Sequence, residues 1–498
     1  MSITPSRRVS AVIFFSFLAS MIIFFHGTIY HELYKHTHQL QTTEGHEHQH
    51  LVATEEERQK QLQDEFDRQM NIAHQHGRPS DPHSAPNAGP ASKRPPPGPS
   101  PQNGADPDHS APVEFPSHLP PTMVSHEHAG SIDIVIVETT GFHDEVSAAL
   151  VHAFGSLSNA RLHLYLERPR YGLLDVLKSF NLSSPIVAVN STSEFGARGP
   201  KPQILVSTTC EVDPLRLDAQ FKSLLEERKT FLYCVVHHAD RWHGSENDVA
   251  LQPWVREGLV DFIALSEHTA NYFREHAVSE PTLRASTVLK VLPPVFPLVF
   301  PHKAKALSDS RLEIVVQGSY ETTRRDYQGV FSTLSDLLGQ RDDNRHLDRN
   351  LTLHLVGHGE HPTIPEQLNE HVFFDEKLNY IPFYSLISDS AALLPAFAGS
   401  EYLDRQASSS IAASLIGGTP VVVDRAMLDA YSYLDEGAVW VREEGESEMD
   451  VVTKLLASTP ELIERQKHLV RIQCRQIVAK NIKSVSRWVE VALRRLSV

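Results

Sequence analysis

The chain has 498 residues, 41% of them apolar, which is enough for two or three packed domains. Its formal net charge is −16, from 46 Lys and Arg against 62 Asp and Glu, so a nucleic-acid partner is disfavoured by simple repulsion. The 29 histidines would partly offset that charge in an acidic compartment.

Residues 1–8 form a short tail in which Arg7 and Arg8 precede a charge-free, largely apolar run from Val9 to Phe25. Seventeen helical residues span about 26 Å, which suits a thin membrane of the early secretory pathway. No small-x-small cleavage site follows before His26, so residues 9–25 read as a signal anchor. With the arginines held in the cytosol the rest of the chain is luminal, a single-pass type II protein of the Golgi or endoplasmic reticulum membrane. Three Asn-x-Ser/Thr sequons, at Asn181, Asn190 and Asn350, agree with that placement.

Residues 26–129 are rich in histidine and proline and read as a disordered stem that buries too little apolar surface to offset its ordering entropy. Within it, Glu55 to Ile72 reads as a short helix above the membrane through which chains could self-associate. Alternating histidines such as His46, His48 and His50 have ligand chemistry, but with no fixed scaffold nearby they read as a solvated spacer.

From residue 130 strands alternate with helical segments, the signature of parallel sheets with crossover helices. Ile132 to Val137, Leu162 to Leu166, Ile186 to Val189, Ile204 to Ser207, Phe231 to Val236 and Phe262 to Leu265 are the expected strands of a domain over 130–300. A linker from Phe300 to Ser310 leads to a second domain over 301–460, with strands at Leu312 to Gln317, Leu351 to Val356, His371 to Phe374, Ala391 to Leu394 and Pro420 to Val423. Residues 461–498 are helical by pattern, with Trp488, Leu493 and Leu496 suited to packing on the first domain. Cys210 and Cys234 could pair and leave Cys474, or all three could be buried thiols.

The most informative stretch is 388–424, read as strand, loop, helix, strand. Ser408, Ser409 and Ser410 offer N-cap hydroxyls and free N–H groups suited to a phosphate, and Gly417, Gly418 and Pro420 stop the helix. This stretch resembles the nucleotide-sugar pocket of the GT-B glycosyltransferases, above all the large retaining family whose donor motif runs from EGFG through a second glutamate to CGTPV. Gly418, Thr419, Pro420 and Val421 match its tail, whereas Arg405 and Ala413 stand where the two glutamates would be. The resemblance implies an α/β fold of two facing Rossmann-like domains, with a nucleotide sugar as donor substrate and no other cofactor and no metal.

On the same resemblance, Gly318 matches the glycine of a GR…KG pattern, and Arg324 stands in the lysine position that neutralises the donor diphosphate. The Val356-Gly357-His358-Gly359 turn resembles the VGxG that approaches the nucleotide, and Phe374, with Phe373 and Asp375, stands where the base is usually held. Arg405 and the three serines would take over the missing glutamates' work. In the first domain, His238 follows a strand and would meet the sugar, with Asp240 orienting its imidazole; a strand-capping histidine pair is the alternative. His237, His238 and His243 lack a clear fourth ligand for zinc. Gly141, in the first strand-to-helix loop, would allow contact with the donor phosphate. Glu138 or Asp144 could act as a base, or Asp144 could cap the following helix.

The expected function is transfer of a sugar from a nucleotide sugar to a glycan, protein or lipid acceptor. A binding or accessory subunit of a glycosylation complex, impaired by the loss of both glutamates, is the alternative.

Overall fold

The computed structural model describes residues 131–197, 199–242, 245–276, 287–298, 310–341 and 349–497. The membrane anchor, the stem with its histidines, His243 and most of the expected linker lie outside the described residues. Among the described residues no helix is long and apolar enough to cross a membrane.

The first lobe is built on seven parallel strands in the order β3-β2-β1-β4-β5-β6-β7. They are β1 (Ile132–Glu138), β2 (Ala160–Leu166), β3 (Ile186–Asn190), β4 (Ile204–Ser207), β5 (Phe231–Val236), β6 (Val260–Ala264) and β7 (Leu289–Val291). The sequence of β5, FLYCVV, is apolar at every position and buried at every position. A parallel strand covered by helices on both faces requires that pattern, and an alternating one would bury polar groups.

The second lobe repeats the scheme with β8 (Arg311–Ser319), β9 (Asn350–His358), β10 (Val372–Glu376) and β11 (Ala392–Leu394) in the order β10-β9-β8-β11. A parallel bridge from Leu393 to Val421 extends it to β12 (Val422–Val423) and β13 (Trp440–Val441). Counted within each lobe, the first four strands run 3-2-1-4, the order of a doubly wound nucleotide-binding sheet. Ligand-facing loops therefore leave the carboxyl ends of β1, β5, β8 and β9.

The expected strand at Pro420 to Val423 is shorter than anticipated. Pro420 has no N–H to give to a ladder, and its carbonyl accepts from Leu393 N instead. The pair β12–β13 escaped the sequence reading because two residues carry no periodicity.

The helix Pro460–Leu496 spans 37 residues and acts as a strap. Near its start Gln466 donates to the carbonyls of Gly437 and Val439 in the second lobe. Further along, Asn481 donates to Pro293 O, Trp488 lies against Tyr233, and Arg495 donates to the buried Asp261 at 3.1 Å, all in the first lobe. Asp261 is 2% exposed, and Arg495 with Lys290 supplies the opposite charges that a carboxylate needs at such depth.

Cys210 and Cys234 form a disulfide, and Cys474 is a buried free thiol. The bridge joins the loop after β4 to the interior of β5 and closes a loop with a separation of 24 residues. Replacing both cysteines by alanine is expected to destabilise the first lobe by about 2–4 kcal/mol, measurable as a fall in the denaturant midpoint with little change in slope.

Candidate functional site

The second lobe's contribution begins where β8 ends. Gly318 has φ +141°, and a side chain there would meet the Arg325 guanidinium at 2.7 Å. Its register partner Gly357 lies so close that a Cβ would collide with the Gly318 carbonyl. Both glycines are needed for close approach of the two strand ends, a steric role that leaves the neighbouring backbone accessible.

Arg325, which stands where the GR…KG pattern has its last glycine and was not expected to bind, is the buried cation of this corner. It donates to Gln317 O at 3.1 Å and to Ser410 Oγ at 3.0 Å, and its guanidinium lies over the rings of Phe397 and Tyr402. Ser410 Oγ in turn lies 2.9 Å from Gln317 Oε1. Gln317, Arg325 and Ser410 thus clamp the first turn of the helix Ser409–Gly417 to the end of β8. Adjacent arginines give no sequence signal as to which one turns inward.

The expected three-serine cradle is corrected by this network. Ser408 is the N-cap, as anticipated, but its hydroxyl accepts from Ser410 N and its own N–H donates to Tyr431 at 2.9 Å. Ser408 and Ser410 are buried, while Ser409 is exposed. Ser409 and the positive end of the helix are what this corner offers an anion. Gly418 has φ +70° and ends the helix, and Ala413 is buried in the core, so no group takes over the second glutamate's position.

Arg324 is partly exposed and pairs with Glu321 at 3.4 Å, and its charge is felt by His238 across the gap. Phe374 is stacked face to face on His361, with ring centroids 3.8 Å apart, and Tyr320 meets it edge-on. One face of that ring is therefore taken by its own chain.

In the first lobe, the Glu211 carboxylate accepts from the backbone N–H groups of both His237 and His238 and so fixes the turn after β5. His237 Nε2 lies 2.8 Å from Thr208 O, and the ring of His143, at the start of the helix Asp144–Gly155, lies tilted against the His237 ring with centroids 3.8 Å apart. Burial first, and then neighbouring groups (His237 and His238 for His143; Arg241, His237 and Arg324 for His238), hold both imidazoles well below the usual histidine range, so both are neutral. His238 Nδ1 is buried without a hydrogen-bond partner among the described residues. His143 lies in the same first strand-to-helix loop as Gly141, where a lone histidine carries no sequence signal by itself.

Asp240 does not orient His238. Its Oδ2 faces Arg405 Nε of the other lobe at 3.4 Å, and Arg405 also pairs with Asp404. Nor does Gly141 present its N–H to a ligand, because that group donates to Glu138 at 2.7 Å and its carbonyl accepts from Arg170. Glu138 is fully occupied in folding this loop, since it also accepts from Thr140 N. Asp144 is not the cap either: His143 holds the N-cap position without a side-chain bond, and Asp144 accepts from Arg170 N at 2.8 Å. Burial pushes the Asp144 carboxyl up to about 7.

The lobes meet along a polar seam. His238 and Gln406 form an antiparallel bridge beside the Asp240–Arg405 pair. His268, in the first lobe, places Nδ1 2.8 Å from Ala430 O and Nε2 3.0 Å from Gln406 O. Both partners are backbone carbonyls of the second lobe, so the ring bridges from one to the other across the seam. Tyr380 adds a contact to Glu145 at 3.3 Å, and its N–H donates to Tyr171 O. Among the described residues no group of three His, Cys, Asp or Glu side chains is arranged to hold a metal ion.

No family model and no curated protein matches the chain. Solved structures similar to it include HepE from Anabaena in complex with UDP and glucose, at 14% identity over 72% of this chain and 99% of that one, with a TM-score of 0.45. A glycosyltransferase from Rickettsia africae is similar at 10% identity over 73% of this chain and 99% of that one, TM-score 0.49. A mutant O-GlcNAc transferase from Thermobaculum terrenum is similar at 14% identity over 74% and 69%, TM-score 0.44. All three scores lie below 0.5, and the two-lobed architecture stands on the chain's own strand orders and lobe contacts.

Beneath the seam lies Asp213, whose carboxyl accepts from Thr139, Ser207 and Thr209. Burial, and next the charge of Glu138, push it up to about 7. A carboxyl raised in the folded state gives stability that is full below its unfolded value near 4 and is lost as pH rises through about 7. Thermal unfolding is expected to show Asp213→Asn with a flatter loss of stability from about pH 4 to about pH 7 than the parent chain.

Proposed function

We propose that the chain is a GT-B glycosyltransferase, anchored through residues 9–25 and facing the lumen of the Golgi or endoplasmic reticulum. It would bind a nucleoside-diphosphate sugar between the two lobes and pass the sugar to a glycan, protein or lipid. One observation carries this reading. The neutral His238 of the first lobe lies within the field of Arg324 from the second, beside a helix N-terminus and glycine-paired strand ends.

In this reading Arg324, Ser409 and the positive end of the helix Ser409–Gly417 receive the diphosphate, and Arg405 joins them by leaving Asp240. Fixed cations and backbone dipoles stabilise the charge that develops on the departing diphosphate without reorganising at the moment of reaction. His238, neutral and with an unused ring nitrogen, would hydrogen-bond a sugar hydroxyl. His143, whose ring lies tilted against that of His237, would hydrogen-bond the acceptor hydroxyl. Gly357 and the open side of Phe374 would border the base.

A second reading, a donor-binding accessory subunit without turnover, is favoured by two specific features. Ala413 is buried where a ribose-gripping carboxylate would stand, and Arg405 is held by two carboxylates. Calorimetry with UDP and GDP sugars on the fragment from residue 130 tests both. Saturable binding weakened about tenfold or more by Arg324→Ala, and by Arg405→Ala, is expected. Transfer to an acceptor supports the enzyme, binding without transfer supports the subunit, and no binding to any nucleotide sugar contradicts both.

A further inference from the structure

The free edge of the first lobe's sheet carries an unguarded apolar strip. β3 is the last strand in the order, paired with β2 on one flank only. Its sequence, IVAVN, contains no charge, and Val187 and Val189 are 51% and 43% exposed. Open strand edges are ordinarily blunted by charge, proline or a bulge, because their unpaired N–H and C=O groups recruit other strands. Here Pro185 and a register shift opposite Leu162 and His163 guard the beginning of the strand, and among the described residues nothing of that kind guards its second half.

Two of the three sequons bracket this strip. Asn181-Leu182-Ser183 lies in the turn between the helix Leu173–Ser179 and β3, and Asn190-Ser191-Thr192 begins at the strand's last residue. Asn181 is exposed. The Asn190 side chain is half-buried and bonds to Tyr165, a bond it can keep after modification because a substituted amide retains one N–H. Thr192 is buried and donates to Glu167, so sugar attachment at Asn190 has to precede folding. The buried Cys210–Cys234 disulfide independently marks an oxidising compartment, where such attachment takes place.

We propose that Asn181 and Asn190 carry N-linked oligosaccharides that cover the open edge of β3 and keep the chain from pairing edge to edge with a second copy. Five residues of strand span about 17 Å, which a branched oligosaccharide at either end overhangs. Attachment forms a bond from C1 of the sugar to the asparagine Nδ2. It breaks the C1–O bond of a lipid-diphosphate oligosaccharide, whose electron pair leaves with the diphosphate, and the amide proton passes to a base. The inference rests on the luminal placement proposed above and is independent of donor binding.

The test uses the full chain, expressed in eukaryotic cells with a reporter sequon appended after Val498, and digestion with a peptide N-glycosidase. Loss of one mobility step in Asn181→Gln and another in Asn190→Gln is expected. A modified reporter with Asn181 and Asn190 bare overturns the shield alone; a bare reporter as well overturns both the shield and the luminal placement. Sedimentation of the purified double variant is then expected to show self-association. Adding Val187→Lys and Val189→Lys should return it to the parent's state, and Asn350→Gln, on the internal strand β9, should leave that state unchanged. A double variant that sediments like the parent would overturn the shielding role.

Discussion

The seam between the end of β5 and the loop before the helix Ser409–Gly417 is the contact that sets the two lobes against each other. On one side Glu211 fixes the turn that carries His237 and His238, and on the other the Gln317–Arg325–Ser410 clamp fixes the start of the helix. Where they meet, a backbone bridge, an ion pair and a histidine held between two carbonyls set the spacing of the lobes. The contacts are polar and separately weak, so the seam can be renegotiated by an anion, whereas the apolar cores on either side cannot. The strap of Pro460–Leu496 keeps the lobes together while that happens.

Electrostatics divide the labour between the lobes. The first lobe brings imidazoles kept neutral by burial, the second brings guanidinium groups and a helix N-terminus. Neutral imidazoles facing fixed positive groups suit a site in which hydrogen bonds hold a polar ligand on one side while negative charge is neutralised on the other. Arg405 links the two arrangements, because it is engaged by Asp240 and free to change partner only if something more anionic arrives.

The strands were legible because apolar β-branched runs bounded by polar turns leave few alternatives: Ile204 to Ser207 and Phe231 to Val236 stand in the structure with the expected bounds. The tail of the recognised motif was legible for a related reason. Gly418, at φ +70°, stops a helix, and that structural demand reads the same whether or not a donor binds. Side-chain roles were less legible. Asp240 is close to His238 in sequence but reaches the other lobe, and the choice between Arg324 and Arg325 turned on which one could lie over the paired rings of Phe397 and Tyr402. The three serines looked equivalent, yet alternation around the first helical turn buries two and exposes one. Such pairings are set by residues far apart in the chain, and no local pattern encodes them.

The central claim is that the seam itself is where a nucleoside diphosphate is held. Backbone hydrogen exchange of the fragment from residue 130, measured with and without UDP, reads it segment by segment. Joint slowing of exchange over residues 237–241 and 405–411, with the core strands unchanged, is the predicted result. Slowing confined to one lobe, or none in either segment under saturating UDP, would contradict it.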